Sequence, residues 1–302
     1  MNIRRISGRR KRRNYKIIRW DITEHCNHRC EYCIKSAPSK KKMNSENFND
    51  VIYWINNQLN KDQKYIVQLF GGEPTIHPEF WNISSSINIP FGIYTNLSQS
   101  LSFYNDLCNI PNFEYFICSL HLSQEKNIRK FYEKIEKIAS FSKINVNVAV
   151  FLENKNIQKI ENCFLDLSHM LKNRGTVYFN NETTDKSFYN TINLSYFNRY
   201  MLPEQFIDIE FDSGDISTIS ELDASKMHFN LKWFLCECNK FGNYVVDIKG
   251  NIFTCVNSPS KYSIYNFDEI DFNQEKKICK NSFCHPYLLE YGIKNNMKKV
   301  ND

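Results

Sequence analysis

Three cysteines stand within eight residues, Cys26, Cys30 and Cys33, in the spacing C-x3-C-x2-C. Thiolates this close in sequence can hold three corners of one metal centre. A [4Fe–4S] cluster ordinarily takes four cysteines, so a run of three leaves one iron open to something that is not protein. An open position is a reactive one rather than a structural one. Zinc is the competing chemistry. A closed zinc site needs four ligands, usually from pairs far apart in sequence. His25 and His28 are candidates for the fourth, but both lie beside the cysteines in the same short loop, which strains a tetrahedron. Further along, Gly71-Gly72-Glu73-Pro74 joins two glycines, a carboxylate and a proline. The glycines permit positive φ and a close backbone approach to a ligand. Glu73 offers a charge suited to an ammonium group, and Pro74 fixes the turn.

The chain holds eleven cysteines in all. Five gather near the end (Cys236, Cys238, Cys255, Cys279 and Cys284), while Cys108, Cys118 and Cys163 stand in apolar surroundings as core thiols. No run of eighteen apolar residues suggests a membrane span, and the basic N-terminus lacks the apolar stretch of a secretory signal. The expectation is a cytoplasmic protein in a reducing compartment, where clustered cysteines bind metal rather than each other. The net charge of +6 is concentrated at the start. Arg4, Arg5, Arg9, Arg10, Lys11, Arg12, Arg13 and Lys16 precede the first acidic residue, and without them 31 basic residues face 33 acidic ones. Residues 1–14 therefore read as a basic arm. Such an arm can touch nucleic acid or an acidic peptide but is ordinarily just solvated, so a nucleic-acid partner is not expected.

The elements that position these groups follow from periodicity. Residues 15–22, 65–70, 91–95, 113–121, 144–151 and 176–179 have the apolar, β-branched and aromatic content of buried strands. Between them, the stretch opened by Asn44-Ser45-Glu46 and residues 124–140 and 157–171 repeat apolar residues at helical spacing. Strand and helix units in succession predict an α/β fold with parallel strands. Every motif named so far then falls at a strand's C-terminal end, where such folds build their sites. Residues 181–235 are polar, with Pro203, Gly214 and the acidic run Asp208, Glu210, Asp212 and Asp215. They read as a linker or a substrate-contacting region. Beyond them, residues 244–255 form a hairpin pattern turning at Gly250.

The cysteine run, with Tyr32 before its last member, resembles the radical S-adenosylmethionine (SAM) superfamily, and Gly71-Gly72-Glu73-Pro74 is similar to that family's SAM-binding loop. The resemblance implies a partial (β/α)6 TIM-type barrel over residues 15–180. It implies that Cys26, Cys30 and Cys33 hold a [4Fe–4S] cluster whose open iron chelates SAM, with Tyr32, Gly71, Gly72, Glu73 and Pro74 around the cofactor. Reductive cleavage of SAM would then give a 5′-deoxyadenosyl radical that abstracts hydrogen from the substrate. Thr95-Asn96-Leu97 stands where relatives commonly have Thr-Asn-Gly, which brings Asn96 to the site and leaves the turn's shape open. Ser119 is placed near the ribose of SAM. His121 is the candidate for proton transfer, because histidine titrates near neutrality.

The C-terminal residues 236–302 resemble the SPASM/twitch extensions of that superfamily, which bind auxiliary clusters. Gly250-x4-Cys255 fits their signature, and Cys236, Cys255, Cys279 and Cys284 are the implied ligands of a second [4Fe–4S] cluster, with Cys238 as substitute. A zinc staple remains the alternative for these cysteines. The implied protein is an oxygen-sensitive enzyme that draws electrons from a reductant such as flavodoxin or ferredoxin. Few residues precede the first strand, where peptide maturases often carry a recognition domain. That favours a small-molecule substrate, for instance a carbohydrate, over a ribosomally made peptide. A different class stays open as well: a non-catalytic, metal-stapled module that binds nucleic acid through its arm.

Overall fold

A computed structural model describes residues 3–8, 14–31, 33, 44–59, 61–141, 144–152, 156–172, 174–180, 194–201, 203–220, 223, 235–236, 243–253, 262–265 and 277–278. Strand β1 is Ile3–Gly8. The α/β series then runs β2 (Lys16–Thr23), α1 (Phe48–Asn57), β3 (Tyr65–Gly71), α2 (Phe80–Ser86), β4 (Phe91–Thr95), α3 (Leu101–Cys108), β5 (Phe113–Leu120), α4 (Ile128–Ala139), β6 (Asn145–Phe151), α5 (Ile157–Leu171) and β7 (Gly175–Asn180). It continues with β8 (Phe206–Phe211), β9 (Ile216–Ser220), β10 (Leu235–Cys236), β11 (Asn243–Val246), β12 (Asn251–Phe253), β13 (Tyr262–Ser263) and β14 (Lys277–Ile278).

Strands β2 to β7 lie side by side in chain order and pair in parallel. Parallel neighbours need long crossovers, which the intervening helices provide. The expected α/β fold is therefore present in open form. The sheet does not close into a ring among the described residues, because β7 ends it on one side and β13 on the other.

The core explains why these segments fold so. On β2, Ile18, Trp20 and Ile22 are fully buried, and on β3 Val67 and Leu69 are too. Helix α4 turns Phe131, Ile135 and Ile138 inward and leaves its charged residues outside. Its first turn is capped by Asn127, whose side-chain oxygen accepts from the Lys130 amide at 3.3 Å. Cys108, Cys118 and Cys163 are buried free thiols in this core, as their apolar surroundings suggested.

The hairpin expected around Gly250 is β11 and β12, with Val245 opposite Phe253. Gly250 takes φ +79°, and a side chain there would collide with the Asn47 amide. The hairpin does not stand apart. β11 pairs in parallel with β2, Val246 beside Trp20, so it extends the main sheet. The Tyr265 hydroxyl donates to Asp50 of α1 at 2.7 Å.

Two expectations change. The basic arm is not wholly outside the fold, because β1 pairs antiparallel with β8, placing Arg5 opposite Glu210 and Ser7 opposite Asp208. The polar stretch 181–235 also contains a hairpin, β8 with β9, which turns at Gly214 with φ +87°. Ile207 and Ile209 are its buried face.

Candidate functional site

The loop that leaves β2 carries Cys26, Cys30 and Cys33, and all three are free thiols. Cys30 is buried and the other two are half-buried. The Cys33 amide donates to the Cys30 carbonyl at 3.1 Å, which curls the loop back on itself. Two donors reach the Cys26 sulfur, the His28 amide at 3.4 Å and the Asn96 side-chain amide at 3.9 Å. Donors aimed at sulfur suit a thiolate rather than a thiol. Three thiols on one loop, one of them already hydrogen-bonded as an anion would be, fit an iron–sulfur cluster that keeps one iron without a protein ligand.

The glycine loop is locked to the cysteine loop. The Gly72 amide donates to Thr23 and the Glu73 amide to His25, each at 2.7 Å. A side chain on Gly71, at φ +131°, would meet the Thr23 carbonyl oxygen at 2.1 Å, and one on Gly72 would meet that of His25 at 1.9 Å. Sequence reasoning assigned this closeness to a ligand. The structure assigns it to the backbone that launches the cysteines.

Glu73 is likewise turned inward, with 1% of its surface exposed. Its Oε1 accepts from the Thr75 amide and from the Thr75 and Thr95 hydroxyls, and its Oε2 accepts from the Asn96 amide at 2.6 Å. Burial pushes its carboxyl above the usual carboxylate range, against the pull of these donors. The carboxylate therefore ties the end of β3 to the end of β4. Pro74 is buried and opens a short 3-10 turn over Pro74–Ile76. His77 is buried after that turn, with Nδ1 accepting from the Glu79 amide at 3.0 Å, a loop role.

Asn96 links these parts. Its side chain donates to Asn27 of the cysteine loop at 2.8 Å, and its oxygen accepts from the Ser98 amide. Leu97 adopts φ +56°, so the turn keeps a left-handed conformation without glycine. Burial of its side chain opposes that cost, and Lys134 of α4 donates to its carbonyl at 2.6 Å.

Ser119 is half-buried on β5, two residues before His121. His121 faces the cysteine loop, with its ring 5.6 Å from that of His28 and 4.3 Å from that of Phe151. The loop is also held across this gap, because the Arg29 amide donates to Gln124 at 3.0 Å. Burial, and then neighbouring His28, push the His121 imidazole down to about 3. It is neutral at physiological pH, which corrects the expectation of a group titrating near neutrality. A neutral imidazole is instead the metal-binding form. Metal-ligating atoms of His28, Cys30 and His121 lie within 4.8 Å of one another. No signal in the sequence joined these three, because their meeting depends on how the loop folds over β5.

Tyr32, Cys238, Cys255, Cys279 and Cys284 lie outside the described residues. Cys236 is described only through the backbone of β10, where it pairs with Lys277. No described helix is long and apolar enough to cross a membrane.

Comparison with known proteins gives the following. Residues 20–162 match the model of the Radical SAM superfamily. The chain is 29% identical over 68 residues to the mycofactocin maturase MftC of Mycobacterium ulcerans, covering 22% of this chain and 17% of that protein. It is 25% identical over 175 residues to GTP 3′,8-cyclase of Haemophilus influenzae, covering 52% of this chain and 51% of that one. Its fold is similar to Streptococcus suis SuiB bound to S-adenosylmethionine, with a TM-score of 0.55 at 14% identity over 86% of this chain and 65% of that one. These matches span less than two thirds of each relative, and the likeness to SuiB concerns the fold alone.

Proposed function

We infer, from a chain that carries a radical SAM domain over residues 20–162, that this protein is an enzyme whose Cys26, Cys30 and Cys33 hold a [4Fe–4S] cluster. The domain implies the cluster and SAM together. Bound there, they supply one-electron cleavage of the sulfonium C–S bond and, through it, removal of a hydrogen atom from the substrate. The carrying observation is the convergence of three adjacent strand ends. The loops after β2, β3 and β4 are joined by the Glu73–His25, Asn96–Glu73 and Asn96–Asn27 hydrogen bonds.

In this reading the chain's own groups have distinct tasks. The His28 amide and the Asn96 side chain donate to the Cys26 sulfur, which stabilises its anionic form and raises the potential of what it ligates. Carbonyl oxygens of the Gly71–Gly72 loop accept from the methionyl ammonium group of SAM, with Pro74 holding the turn. Glu73 orients Asn96 through its backbone amide and, as the resemblance of its loop implies, would stand beside the ammonium group of SAM. Ser119 is proposed near the ribose of SAM, and Tyr32, which lies outside the described residues, is proposed beside the cofactor from the cysteine motif alone. His121 acts as a neutral group beside the loop and not as the proton carrier.

The similarity to the mycofactocin maturase MftC supports the peptide alternative to the small molecule expected from the sequence. The similarity to GTP 3′,8-cyclase supports a second reading, a small molecule such as a nucleotide or a carbohydrate. A reductant of the flavodoxin or ferredoxin kind would deliver the electron. We retain as part of the proposal a core over 15–180, a substrate-contacting region over 181–235 and an extension from 236. In that extension Cys236, Cys255, Cys279 and Cys284, with Cys238 as substitute, would hold a second cluster.

Iron and sulfide counting after anaerobic reconstitution tests the ligand assignment. Cys26→Ala, Cys30→Ala and Cys33→Ala should each remove about four irons per chain from the parent value. Parent iron content in all three variants would refute it.

A further inference from the structure

Sequence reasoning disfavoured zinc at the N-terminal cysteines because no distant ligand was available. The fold supplies one. His28 and Cys30 come from the loop after β2, and His121 comes from the end of β5. Their ligating atoms lie within 4.8 Å of one another. Ligands of tetrahedral Zn2+, at about 2.0–2.3 Å from the metal, stand about 3.3–3.8 Å apart, so a small closing movement completes the site. Nδ1 of His28 is buried without a hydrogen-bond partner among the described residues. An orphaned buried nitrogen calls for an occupant. The Phe151 ring packed at a tilt against His121 and the Arg29–Gln124 hydrogen bond hold the two sides in place.

We propose that, before any cluster is built, the chain holds a single divalent ion of the Zn2+ class between His28, Cys30 and His121, and that this ion withholds Cys30 from the cluster. A fourth position is left for water, as in open zinc sites. The ion site stands on its own geometry. Its consequence for assembly rests on the reading that Cys30 is a cluster ligand. One thiolate cannot terminate a cluster shared with Cys26 and Cys33 while closing a site with two imidazoles. Loading of zinc and assembly of the cluster are therefore mutually exclusive at Cys30.

The test uses the full chain, isolated anaerobically without iron, and Co2+ as a spectroscopic stand-in for zinc. The C-terminal cysteines are further thiol ligands for cobalt, so the readout is the difference between variants. His121→Ala and His28→Ala should each lose one equivalent with its thiolate-to-cobalt charge-transfer band, as should Cys30→Ala. Cys26→Ala and Cys33→Ala should keep it. Histidine variants that bind as much cobalt as the parent, or loss of the equivalent in Cys26→Ala and Cys33→Ala, would overturn the site. The two histidine substitutions lie on different elements, so a folding defect in one leaves the other to decide.

A second readout addresses assembly. Parent chain preloaded with Zn2+ should take up iron and sulfide at these cysteines only after a chelator is added, whereas zinc-treated His121→Ala should not need it. Equal uptake without chelator would overturn the exclusion. A chain that keeps the histidine-dependent cobalt site but never builds a cluster, chelator or not, would instead fail the radical SAM reading.

Discussion

A methyl group at position 72 would stand 1.9 Å from the His25 carbonyl oxygen, far inside van der Waals contact. The obstacle is backbone, and it belongs to the strand end that launches Cys26. Gly72→Ala should therefore cost about 1–3 kcal/mol in stability and should also lower iron content, because the cysteine loop must move. Denaturation midpoints and iron analysis on the same preparation check both. A variant with parent stability and full iron would contradict the packing argument. At Glu73 the sign of the pH effect is calculable. Burial raises its folded pKa above the unfolded one. Its stabilising contribution is thus fully present below the unfolded value and is lost as pH rises toward the raised folded value. Glu73→Gln places an NH2 group among donors and should cost about 1–3 kcal/mol. It has no titration of its own, so the gap to the parent should narrow from acid toward neutral pH. Urea denaturation at two pH values measures it, and a gap that widens would contradict the assignment.

At the scale of elements, the segment Leu194–Tyr200 is docked on α5 through one carboxylate. Glu161 accepts from the Tyr200 hydroxyl, from the Tyr196 hydroxyl at 2.7 Å and from Arg199 at 2.6 Å. The Tyr200 hydrogen bond, then that of Tyr196, hold its pKa below the usual carboxylate range. A depressed carboxylate contributes above the unfolded pKa, and the contribution is lost as pH falls through the folded value. Protection factors for amide hydrogen exchange over 194–200 should therefore fall at acid pH in the parent and be low at all pH values in Glu161→Gln. Unchanged protection in the variant would show that apolar packing alone holds the segment. The elements also divide by what could be read from the chain. Helix α4 was legible because Ile128, Phe131, Ile135 and Ile138 repeat on one face. The parallel strands were legible as apolar runs between helical patterns. Hairpin β8–β9 was missed although Ile207 and Ile209 alternate before the turn at Gly214, because its acidic residues masked the signal. Strand β1 was not legible at all. Its partner lies some two hundred residues away, and nothing local marks six residues of a basic arm as a strand.

Across the described residues of the molecule, one sheet joins strands that lie between Lys16 and Ser263. β11 runs beside β2, so the C-terminal hairpin shares the strand that launches the cysteine loop. The site itself was half legible. The cysteines and the glycine loop stood out by type and spacing, and Asn96 through the family resemblance. That Glu73 turns inward, that the glycines make room for backbone, and that His121 meets His28 and Cys30 depend on burial and loop approach, which spacing does not carry. The central claim is that this assembly cleaves SAM reductively. Its most direct test is 5′-deoxyadenosine formation by the reconstituted, reduced protein in the presence of SAM. The account predicts its formation by the parent chain and its loss in Cys30→Ala. A parent chain that carries a full cluster and binds SAM yet forms no 5′-deoxyadenosine under reduction would contradict it.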